Sequence, residues 1–177
     1  MPPENSPNGI SCILRTATDL VYSQIGFQIS NLQIENESQE YAACTFGLNK
    51  LKIKHRLAKI TPTKTGQFVT IWKRTEAGIT APFADLDEFD LLIISVNDAA
   101  RSGQFIFPKA TLIQHKIITV NGTGGKRGIR VYAPWDVVSN KQAAKTQEWQ
   151  AACFLQIDIN GNTDLARAAK LIGNAIK

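Results

Sequence analysis

At 177 residues and 19.5 kDa, with 44% hydrophobic and 20% charged residues, the chain has ordinary globular composition and room for one substantial core, which excludes fibrous, repetitive and disordered classes. Its apolar runs are too short to span a bilayer, and its opening MPPENSPNG lacks the basic and apolar regions of a secretory signal, so it reads as cytoplasmic with no membrane partner. Three widely spaced cysteines, Cys12, Cys44 and Cys153, and two histidines argue against a disulfide framework and a metal site, and nothing calls for a cofactor.

Residues 1–10 read as a flexible tail and 11–177 as one domain. Val21, Ile25, Ile29 and Leu32 recur at near-helical spacing after Thr18, which predicts a helix over 19–32. A strand follows over 41–48, then two β-arms in 52–74 (KIKHRLAKITPTKTGQFVTIWKR) around a turn holding Pro62 and Gly66. In the first arm Lys52, Lys54 and Arg56 alternate with Ile53, His55 and Leu57, so three cations are expected on an outward face. Lys59 falls on the side of Ile53 and Leu57. Either a bulge carries it, or it enters a partly apolar site, or pairing ends at Ala58 and it reaches water. The second arm alternates Phe68, Thr70 and Trp72 with Gln67, Val69, Ile71 and Lys73, and 41–74 together predict a three-stranded meander.

The run 91–96 (LLIISV) predicts a central buried strand and 104–107 another, stopped by Pro108 at the start of a short helix over 109–115. NGTGGKRG (121–128) is a flexible loop leading into a strand over 129–132. Ser139 and Gln142 form a capping box for a helix to about Phe154. A last amphipathic helix over 163–177 aligns Leu165, Ala168, Ala169, Ile172 and Ile176. The fold class is α+β: a single mixed, largely antiparallel sheet with flanking helices.

Charge is segregated along this chain. Residues 41–75 hold eight Lys or Arg and 99–135 hold six, with no Asp or Glu in either window, so 14 of the 20 cations lie in acid-free sequence. Such segregation creates the field that attracts phosphate backbones. Catalytic patterns are weaker. The 122–128 loop lacks the phosphate-loop spacing and precedes a strand rather than a helix. A nuclease built on Lys59 meets Leu57 where a metal-binding acid belongs, and no cysteine lies near a histidine in sequence. Trp72, Tyr132 and Trp135 near Lys73, Arg74 and Arg130 supply the aromatic and basic interleaving that stacks bases.

The runs KITPTKTGQFVTIWKR from Lys59, GQFIFPK from Gly103, GKRGIRVYAPWD from Gly125 and KQAAKTQEWQ from Lys141 resemble the MepB family of bacteria, over 41–155. The resemblance implies a cytosolic α/β protein that binds nucleic acid; it carries over no catalytic residue and leaves out the helix over 163–177. The leading reading is a non-enzymatic nucleic-acid-binding protein, with DNA as partner before RNA. Its expected interface is Lys54, Arg56, Lys59, Lys64, Gln67, Trp72, Lys73, Arg74, Lys126, Arg127, Arg130, Tyr132 and Trp135. The alternatives are an enzyme on a nucleic-acid or phosphorylated substrate, with a pocket around Glu40, Lys59 and Gln67, and a small-molecule or drug-binding module.

Overall fold

A computed structural model describes residues 11–176; the tail expected over 1–10, and Lys177 at the end of the last expected helix, lie outside the described residues. In chain order, Ser11 caps α1 (Cys12–Ala17), which continues through a π-helical turn at Thr18–Tyr22 and a 3-10 turn at Ser23–Ile25. Gly26 then adopts left-handed backbone, φ +78°, and the chain enters the edge strand β1 (Ile29–Ile34). The helix expected over 19–32 is thus displaced toward the N-terminus. Gly26 ends it because a left-handed residue closes a helix, so the later apolar positions Ile29 and Leu32 belong to a strand.

The hairpin β2 (Cys44–Leu48) and β3 (Leu51–Leu57) follows, then β4 (Lys59–Ile60), β5 (Gln67–Thr70), β6 (Trp72–Arg74) and β7 (Thr80–Pro82). The second half contains β8 (Leu91–Asn97), β9 (Ser102–Pro108), α2 (Lys109–Gln114), β10 (Gly128–Val131), α3 (Lys141–Ala151), β11 (Phe154–Ile157) and α4 (Leu165–Gly173). Six strands form one sheet in the order β1-β2-β3-β8-β9-β11, antiparallel except for the β3 and β8 pair. The α+β class holds, with two smaller sheets added, β10-β5-β4 and β6-β7. The three-stranded meander does not form. β8 occupies the free side of β3, the last bond runs from Ala58 N–H to the Ser95 carbonyl, and the chain changes sheet at Lys59.

Alternation along β8 and β9 sends Leu91, Ile93 and Ile106 to one face and Leu92, Ile94, Phe105 and Phe107 to the other. The first face is covered by the N-terminal helical segment (Val21, Tyr22) and α4 (Ala168, Leu171, Ile172). The second is covered by the small sheet (Val69, Ile129, Val131) and α2 (Leu112). Both faces of β8 are therefore buried, which is why it reads as an unbroken apolar run. Two boundaries differ from expectation. The N-cap of α3 is Asn140, whose side chain accepts from Ala143 N–H at 2.8 Å, and Phe154 begins β11 instead of ending the helix. α4 ends at Gly173; Leu171 on it is buried, while Ile176 beyond it is exposed.

On the helix-covered face a polar chain crosses the core. Tyr22 Oη donates to Gln104 Oε1 (2.7 Å), Gln104 Nε2 donates to Ser95 Oγ (3.0 Å), and His55 Nε2 lies 2.9 Å from the same hydroxyl. Cys44 Sγ lies 3.8 Å from His55 Nδ1. Burial dominates these groups, pushing the Cys44 thiol up to about 12 and the His55 imidazole down to about 4, so His55 is neutral in the folded protein. In the unfolded chain His55 takes up a proton as pH falls below about 6.5, while the folded state resists protonation until about 4. Its contribution to stability is complete above about 6.5 and is lost as pH falls toward 4, an effect of about 3 kcal/mol. Urea denaturation midpoints measured across this range should fall more steeply for the wild type than for His55→Gln.

Candidate nucleic-acid interface

Lys52, Lys54 and Arg56 share one face of β3 as alternation requires, but only Lys52, at its start, is exposed there. Arg56 is fully buried, its Nη2 donates to Glu35 Oε2 at 2.6 Å, and its Nη1 donates to the His55 carbonyl at 2.8 Å. Lys54 Nζ reaches the other oxygen of Glu35 at 3.4 Å, and both cations pack on the Phe83 ring. Sequence alternation assigns a face, and here Phe83 covers that face. Lys59 is exposed, 4.0 Å from Glu40 and over the Tyr41 ring, so it leaves the large sheet without entering an apolar site. The register places Lys59, Phe68 and Arg130 side by side on the outer face of the small sheet, with Gln67 on the inner face. Gln67 donates to the Asn97 carbonyl at 2.9 Å, so the expected grouping of Glu40, Lys59 and Gln67 is split across β5.

Three further cations of the first window find carboxylates from outside it. Lys73 bonds Asp87, Arg74 bonds Glu37 and lies over Trp72, and Lys52 pairs with Glu88 at 2.7 Å. Six of its eight cations are thereby ion-paired. Trp135 packs edge-on against Phe154 and carries Arg101 over its ring, so it serves mainly as packing. Among the described residues Lys64, Lys126, Arg127 and Arg130 have no carboxylate partner within ion-pair distance. Arg127 turns aside to donate to the Thr80 carbonyl.

Lys64, Lys126, Arg130 and Tyr132 line one cleft of about 690 Å³ between the loop at 61–66, β10 and α3. Pairing of β5 with β10 is what joins the two acid-free windows here. No Asp or Glu is among the described residues lining it. Arg130 Nη1 donates to the Thr65 and Gly66 carbonyls at 3.3 and 3.2 Å, tying the loop to β10. Gly66 has φ +78°, and a Cβ there would stand 2.7 Å from the Tyr132 ring, so only glycine lets the loop lie this close. On the far side Gln150 Nε2 donates to the Arg130 carbonyl at 3.1 Å and its Oε1 accepts from Tyr132 N–H at 2.8 Å. A side-chain amide thus completes the free edge of β10 as a neighbouring strand would, and Gln147 binds the Ala133 and Asp136 carbonyls beside it.

The first turn of α3, with Ser139, Asn140 and Gln142, faces the same space, so the positive end of the helix adds to the cations. His115 and Trp149 complete the wall, stacked with centroids 4.0 Å apart at 11°. Neither belongs to the interface expected from sequence, where nothing in the local pattern links the two rings. Trp149 is half-buried and also touches Phe107, so it serves the core as well as the cleft wall. The described residues contain no group of three His, Cys, Asp or Glu that could hold a metal ion, and no helix long and apolar enough to cross a membrane.

A family model described as MepB-like matches residues 35–156. A crystal structure of MepB is similar at 38% identity and a TM-score of 0.71, over 73% of this chain and 87% of that one. A bacterial homing endonuclease aligns over 93% of this chain and 92% of its own at 12% identity, with a TM-score of 0.46, too distant to bear on activity. None of the curated proteins compared with the chain matches it.

Gln150 is the side chain on which the cleft wall depends. Gln150→Leu keeps the volume but leaves the Tyr132 N–H and the Arg130 carbonyl without partners. It should cost about 1 to 3 kcal/mol in urea denaturation.

Proposed function

The chain belongs to the MepB-like family, and from that premise we propose that it is a cytoplasmic, non-enzymatic nucleic-acid-binding protein, with DNA its first candidate partner. The observation that carries the reading is the acid-free cleft, where Lys64 from one basic window meets Lys126 and Arg130 from the other. Elsewhere the cations of the expected interface are largely cancelled: Lys54 and Arg56 by Glu35, Lys59 by Glu40, Lys73 by Asp87, Arg74 by Glu37. An ion-paired lysine must break that pair to bind a phosphate, whereas an unpaired one exchanges only counterions. Phosphate contacts therefore fall to Lys64, Lys126, Arg127 and Arg130, and Arg56 serves the fold.

A salt titration of labelled oligonucleotides tests this. Three or four phosphate contacts give a log–log slope of roughly −2 to −4, at about −0.7 per contact on single strands and −0.9 on duplex. The double change Lys64→Ala with Lys126→Ala should flatten the slope by about 1.5 to 2 units. Lys52→Ala, whose charge Glu88 already holds, should leave it unchanged. Absence of binding at low salt, or a slope near zero, rejects the proposal.

A further inference from the structure

The cleft is shaped for a nucleotide rather than for a double helix. Its volume of about 690 Å³ lies within the roughly 300 to 1,000 Å³ of enclosed ligand sites, and its cations sit inside a concave wall. A duplex offers its phosphates on a convex surface and keeps its base faces stacked within. An unpaired strand can lower a phosphate and a base together into a cleft. A second hollow of about 560 Å³, which Lys145 and Glu148 help to line, adjoins the first and shares His115, Gln142, Thr146 and Trp149 with it. The two form a path that runs from Lys64 and Arg130 across the His115 and Trp149 rings.

We propose that this path is a single-strand site: phosphates of an unpaired segment lie on Lys64, Lys126 and Arg130, and a base stacks on the His115 and Trp149 pair. The assignment rests on the nucleic-acid reading and narrows it. His115 and Trp149 are already parallel, so a base extends an existing stack. The cationic wall is likewise set in place beforehand, by Arg130 bound to the loop at 61–66 and Gln150 bound to β10. Base stacking tolerates any sequence, because every base has a π-face.

The experiment compares the full chain and its variants on a short fluorescent thymidine oligonucleotide and on a blunt duplex of equal length, with thymidine monophosphate as competitor. The wild type should bind the single strand more tightly. His115→Ala should weaken that binding roughly fivefold or more, while duplex binding and the salt slope stay as they were. His115→Tyr, which keeps a ring in place, should restore most of the loss. The oligonucleotide should quench tryptophan fluorescence, and Trp149→Phe should abolish the quenching. Equal binding of duplex and strand, with His115→Ala inert, overturns the single-strand assignment and leaves the broader proposal standing. Competition by the monophosphate at the same concentration as the strand overturns it too. Binding of neither oligonucleotide removes both.

Discussion

Arg56 has no access to water, and the carboxylate of Glu35 is what makes its position tenable. An unpaired guanidinium in such a place costs several kcal/mol; a short hydrogen-bonded pair, with a second bond to the His55 carbonyl, offsets much of that. The requirement fixes more than one strand. Glu35 lies immediately beyond β1, its N–H bonded to the Ala43 carbonyl, so the edge of the large sheet is held where its carboxylate reaches β3. Lys54 shares that carboxylate, and the two charges most exposed to view in the sequence vanish into the layer between the sheets. Positive charge survives only where no acid from a neighbouring segment can follow it.

The parts of the fold that sequence discloses are those set by local periodicity. The alternation along β3, the apolar run of β8 and the turn between β4 and β5 are all found where period and turn chemistry place them. Pairing partners are another matter. Period 2 cannot tell that β3 will accept the distant β8 in parallel, nor that β5 will then be free to join β10. The helix expected over 19–32 failed at Gly26, where a spacing that fits a helix also fits a helix followed by a strand. The strand Phe154–Ile157 goes unread, its first residue given to the preceding helix and the rest to no element, because four residues are too few to show a period of their own.

For the site, a one-dimensional count of charge was both useful and misleading. It singled out Lys64, Lys126 and Arg130, which β-pairing brings into one cleft. It also singled out Lys54, Arg56, Lys73 and Arg74, because it could not see Glu35, Glu37 and Asp87 approaching from beyond the window edges. The contribution of α3 was invisible for a different reason. Gln147 and Gln150 look like ordinary polar residues on a helix, and only the free edge of β10 gives their amides a purpose.

The small number of unpaired cations lining the cleft bears on what the proposed nucleic-acid site can select. An unpaired lysine contributes affinity for any phosphate backbone and no preference among sequences. With only a few such contacts, electrostatic attraction at physiological salt is modest, and each contact is shared by duplex and single strand alike. Discrimination must then come from groups that respond to something other than charge. In the proposed site those are the stacked rings of His115 and Trp149 and the amide of Gln142, while the cations are Lys64, Lys126 and Arg130. In the proposed site attraction and selection thus fall to different residues, and the bonds of Gln150 to β10 tie the helix that carries Trp149 to the strand that carries Arg130.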